Sequence, residues 1–100
     1  MKYQVKKYLI TMASNDNIDE PHKEYRKGRV YNINGVEIGG IQRGGIVLTH
    51  IASGLYLPKD YATYKDFESD IKNFKKFLKE HEKTLEKAAE TLKGLPIYEG

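Results

Sequence analysis

The sequence predicts an α+β fold: a short antiparallel meander sheet of four to five strands over residues 2–57, then one long amphipathic helix over about residues 64–93. Three observations carry this. Up to Pro58, short runs of β-branched and aromatic residues alternate with glycine-rich turns. From Tyr64 onward the pattern changes, and apolar residues recur three and four apart. The chain has 100 residues, the size of one domain, because separate cores need more chain.

Tyr3 to Met12 reads as the first strand, rich in Tyr, Val, Ile and Thr. Tyr3 and Val5 share one parity and Tyr8, Ile10 and Met12 the other. A bulge at Lys6-Lys7 would bring all five to one face. Ser14 to Lys23 is polar and reads as a loop. Arg29 to Ile33 and Val36 to Ile38 flank Asn34-Gly35, a tight hairpin signal because both turn residues tolerate positive φ. Gly39-Gly40 and Gly44-Gly45 bracket Ile41-Gln42-Arg43 as a second reversal. Ile46 to Ile51 is the most apolar run and is expected at the centre of the sheet. Ala52-Ser53-Gly54 turns the chain into Leu55 to Leu57, and Pro58 stops pairing because it has no N–H.

Thr63 is the expected N-cap of the helix, with Asp66 three residues on, and Gly94 and Pro96 supply its stop. Tyr64, Ile71, Leu78, Leu85 and Leu92 form one seam position of a heptad pattern; Phe67, Phe74, His81, Ala88 and Leu95 form the other. About 30 helical residues make a rod of roughly 45 Å. A typical strand spans only about 17–20 Å, so the sheet is expected to cover the first half alone. Two readings of the distal half follow. The helix breaks near His81 and folds back on its own domain, or it pairs with a second chain. The second makes the protein a homodimer through its C-terminal helix, with Leu78, His81, Leu85, Ala88 and Leu92 at the contact. A charged His81 in that seam would oppose pairing and make assembly pH-sensitive.

The hydrophobic fraction of 39% is carried by large residues, among them eight Tyr and three Phe, which argues for folding rather than disorder. With no cysteine, disulfides and thiolate metal sites are excluded. The N-terminus lacks the apolar run of a signal peptide and no stretch is long and apolar enough to span a membrane, so the chain reads as cytoplasmic. Seventeen basic and fourteen acidic residues leave a net charge of +3, which permits an acidic partner without demanding one.

No paired acid and base, metal set or nucleophile motif is present, so no enzyme and no cofactor is expected. His50 and Ser53 flank a turn without an acidic orienter. His22, His50 and His81 lack metal-ligand spacing. A deep pocket around Glu24 or Glu37 would reopen the question. Lys72, Lys76, Lys79 and Lys83 lie on one helix face, which could follow a phosphate backbone or form a solvated surface. The glycine pairs around Arg43 could cradle an anion or simply form a hairpin. Exposed tyrosines on one sheet face would suit a protein partner.

The Lys-rich, Tyr-rich, cysteine-free composition looks like that of small accessory proteins encoded by phages and mobile elements of low-GC bacteria, some of which inhibit host defence. That resemblance implies a non-enzymatic protein that binds and modulates a host protein. Separately, three strands then a helix over Arg29 to Phe77 is similar in order to the three-stranded DNA-binding domains of tyrosine-recombinase N-termini and plant AP2 proteins. This second resemblance implies a nucleic-acid partner, with Arg29 and Arg43 on the sheet and the basic helix face as contacts.

Overall fold

The computed structural model describes residues 1–14 and 19–99. Among these described residues six strands and three helices follow in order: β1 (Gln4–Met12), β2 (His22–Ile33), β3 (Val36–Gln42), β4 (Ile46–His50), β5 (Leu55–Tyr56), α1 (Tyr64–Ser69), α2 (Ile71–Glu80), α3 (Glu82–Leu92) and β6 (Ile97–Tyr98). The first five strands form the expected antiparallel meander, and β6 adds in parallel beside the start of β2. Asn34 and Gly35 take φ of 53° and 84°, the left-handed pair that a two-residue hairpin requires.

The first strand departs from expectation. β1 pairs with β2 residue for residue from Gln4–Val30 to Met12–His22, with no bulge at the lysine pair. Tyr8 and Ile10 therefore face inward, while Tyr3 and Val5 lie on the other face and stay exposed. β2 is also longer than expected, beginning at His22 inside what reads as a loop; residues 15–18 of that loop lie outside the described residues.

The sheet is curled. The Thr11 N–H donates to the Gly54 carbonyl (2.8 Å) and the Thr11 hydroxyl to the Ser53 carbonyl (2.7 Å), bringing the first strand against the β4–β5 turn. Inside the curl, Tyr8, Ile10 and Val30 pack with Met12, Ile41 and Ile51. Gly39 leaves room for the Tyr8 ring, since a Cβ there would stand 2.5 Å from it. On the other face Tyr31, Ile33, Ile38, Ile46 and Leu48 pack against Phe67, Phe74 and Leu78 of the helices. Edge-to-face contacts run from Tyr31 to Phe67 (5.2 Å) and from Phe67 to Phe74 (5.0 Å).

The expected single helix is three segments. Thr63 caps it as predicted, accepting from the Asp66 N–H at 3.1 Å. Asp70 (φ −99°, ψ 17°) and His81 (φ −107°, ψ 8°) then leave helical geometry. At the first break the Asp70 carboxylate accepts from the Tyr61 hydroxyl and the Asn73 amide, both at 2.7 Å. At the second the His81 ring packs on Phe77, centroids 4.6 Å apart. The Phe74 N–H still reaches the Asp70 carbonyl and the Leu85 N–H the His81 carbonyl, so both are kinks, not reversals. The whole molecule is 38 Å in its longest dimension, too short for a straight rod of roughly 45 Å. The bent path keeps the helices along the sheet.

Candidate functional site

Kinking at His81 leaves a half-open groove of about 520 Å³ between α2–α3 and the tip of the β2–β3 hairpin. Ile33, Val36, Leu78 and Leu85 make its apolar wall. Lys75, Lys76 and Lys79 rim the α2 end, and Glu82 and Glu86 the α3 end. None of these five charged side chains has an ion-pair or hydrogen-bond partner among the described residues. α3 carries Leu85, Ala88, Ala89 and Leu92, yet none of its residues is fully buried.

The residues expected at a self-association contact are therefore divided. Leu78 is buried in the protomer's own core, and Leu85 packs partly against that core. Ala88 and Leu92 are half-buried and His81 is exposed. Of the basic stripe, Lys76 and Lys79 border the groove, and Lys72 and Lys83 are exposed on the helix surface.

The two sheet arginines part company. Arg29 is held between the rings of Tyr3 (4.0 Å) and Tyr64 (3.8 Å), donates to the Tyr31 hydroxyl (3.3 Å) and lies 3.6 Å from the Glu68 carboxylate. It fastens α1 to the sheet. Arg43 is exposed at the β3–β4 turn. There its N–H donates to the Gly45 carbonyl (2.7 Å), and Gly44 and Gly45 take positive φ. Gly39 to Gln42 belong to β3, so the glycine pairs serve strand packing and a hairpin.

His50 also lines the groove, and its pKa is lowered by burial, which favours the neutral ring. Its Nδ1 lies 2.8 Å from the Ser53 hydroxyl. That hydroxyl is wholly buried and also accepts from the Leu55 N–H (3.2 Å), so it holds the turn. Among the described residues no cluster of three His, Asp or Glu could hold a metal ion. Glu37 is exposed and paired with Lys6 (3.4 Å).

One polar cluster was not legible from sequence. The buried His22 ring donates from Nε2 to Glu24 (2.6 Å) and from Nδ1 to the Glu20 carbonyl (2.8 Å), and Arg26 donates to the other Glu24 oxygen (3.3 Å). Both nitrogens face acceptors, which favours the imidazolium form of the ring. Its pKa is raised, first by the Glu20 carbonyl and next by Glu24. The Tyr98 ring of β6 meets it edge-on at 6.0 Å. The alternation His22, Glu24, Arg26 was the available signal, hidden because a polar strand face resembles a loop.

Among the described residues no helix is long and apolar enough to cross a membrane. No protein-family model, curated protein or solved structure matches this chain.

Proposed function

We propose that this chain is a non-catalytic interaction protein that pairs with a second copy of itself through the face built by α2 and α3. The observation that carries the reading is α3, an eleven-residue helix with an apolar stripe but no fully buried side chain, standing beside an apolar groove. Burial of such a stripe yields about 25 cal/mol per Å² of apolar surface, a driving force for docking another helix. The charges select the occupant. Lys75 and Lys79 precede the kink, Glu82 and Glu86 follow it, and each pair is four residues apart. Two antiparallel copies related by a twofold axis between Glu80 and His81 would set Lys79 opposite Glu82 and Lys75 opposite Glu86. A purely acidic partner would leave the two glutamates opposed.

The test is a charge swap read by light scattering. Wild type should have twice the 11.5 kDa single-chain mass. A chain with Lys75→Glu and Lys79→Glu, and another with Glu82→Lys and Glu86→Lys, should each be monomeric alone and pair when mixed. Leu85→Asp should also give a monomer. A wild type of single-chain mass at every concentration overturns the reading.

Nucleic-acid binding is the rival, favoured by Lys72, Lys76, Lys79 and Lys83, which have no ion-pair partner among the described residues. It requires duplex binding that weakens steeply with salt and on changing these lysines. No binding at low salt ends it.

A further inference from the structure

The geometry points to a second docking surface: the outer edge of β1, from Val5 to Leu9, takes an extended acidic segment of another protein as an added strand. In an antiparallel ladder, alternate residues turn their N–H and C=O toward the neighbour and away from it. The register of β1 is unbroken, and the Thr11 N–H points away from β2, since it reaches the Gly54 carbonyl. Val5, Lys7 and Leu9 share that direction. Their outward N–H groups have no backbone partner among the described residues. The curl closes at Thr11 and stays open beyond it.

A cavity of about 420 Å³ lies here, lined by Lys7, Leu9 and Lys23 together with Ile51 and Ala52. Lys23 is only 8% exposed and has no ion-pair partner among the described residues. Its stem is covered and no anion among the described residues pairs with its ammonium, so an incoming carboxylate would supply the missing partner. Lys7 lies directly across from Lys27 on the same face, an unfavourable pair of like charges that an acid would also relieve. The acid bordering this opening, Glu37, is held by Lys6.

The same charges reject a second copy. Antiparallel pairing of two β1 edges about Lys7 would put Lys7 against Lys7, the device by which edge strands avoid self-association. An acidic strand reverses the sign. Its carboxylates would lie on the face of Lys7, Lys23 and Lys27, and its alternate apolar residues on the face of Tyr8. None of these residues belongs to the α2–α3 face, so the two surfaces act independently.

Two fluorescein-labelled eight-residue peptides test this, one alternating Val with Glu and the other Val with Lys. The Glu peptide should bind saturably and slow amide exchange at Val5, Lys7 and Leu9 by about tenfold or more, and the Lys peptide should not. Lys7→Pro deletes one outward donor and spares the ladder to β2, so binding should fall about tenfold or more with the circular dichroism unchanged. A Lys7→Glu, Lys23→Glu variant should prefer the Lys peptide. Leu85→Asp should leave peptide binding intact, which separates failure here from failure of the self-pairing. Equal binding of the two peptides, no protection of those amides, or no binding of either overturns the proposal.

Discussion

His22 and Gly39 show how single residues set the terms of this fold. Because the folded pKa of His22 is raised, its contribution to stability is full below about pH 6.5 and is lost as pH rises through the folded value. His50 has the opposite sign, since burial lowers its pKa. Its contribution is full above the unfolded value and is lost as pH falls through the folded one. The stability difference between wild type and His22→Gln, from urea melts, should therefore be larger at about pH 5.5 than at about pH 8.5. A difference constant with pH would refute the imidazolium assignment. At Gly39 the limit is steric. Gly39→Ala drives a methyl group into the Tyr8 ring and should cost about 1–3 kcal/mol in the same assay, and a neutral outcome would mean that the ring can move aside. Burial raises the Tyr8 pKa to about 12, consistent with a ring fixed inside the curl.

Among the elements, the helices divide the labour. α1 and α2 fill the core through Phe67, Phe74 and Leu78, whereas α3 buries nothing fully. Phe74→Ala should cost about 3–5 kcal/mol, while Leu92→Ala should cost far less in the monomeric Leu85→Asp background. Equal losses in calorimetry would mean that α3 is as deeply held as α2. The sequence made the helix N-terminus, the Asn34-Gly35 hairpin and β4 legible, because caps, left-handed turns and apolar runs are local chemistry. The kink at Asp70 was not legible, and a break near His81 was only one of two readings of the distal half. The 3,4 periodicity passes through Asp70 and His81 undisturbed, and the partner that draws the Asp70 carboxylate aside, Tyr61, lies outside the helix. The bulge expected at Lys6-Lys7 rested on burying every apolar side chain, yet Val5 is 60% exposed. β6 is two residues long and exists only because β2 offers an edge at Lys23 and Glu24, a tertiary fact without local signature. The groove was half legible: the heptad seam named Leu85 and the basic stripe Lys76 and Lys79, but nothing local to the helix showed that Ile33 and Val36 of the hairpin would face them.

For the whole molecule, the two proposed surfaces lie on different elements, one on the C-terminal helices and the other on the N-terminal strand. A dimer through the first would carry two copies of the second. β2 is the hub, hydrogen-bonded to β1, β3 and β6. That arrangement also orders events in time. Its hairpin to β3 closes across two residues, but its bond from the Lys23 N–H to the Pro96 carbonyl joins distant parts of the chain and carries the greatest loop-closure entropy. Docking of β6, a two-residue strand, is accordingly expected late in assembly and early in opening. The C-terminal strand should therefore open and reclose while the meander stays intact, and limited proteolysis should cut near Leu95 before it cuts the meander.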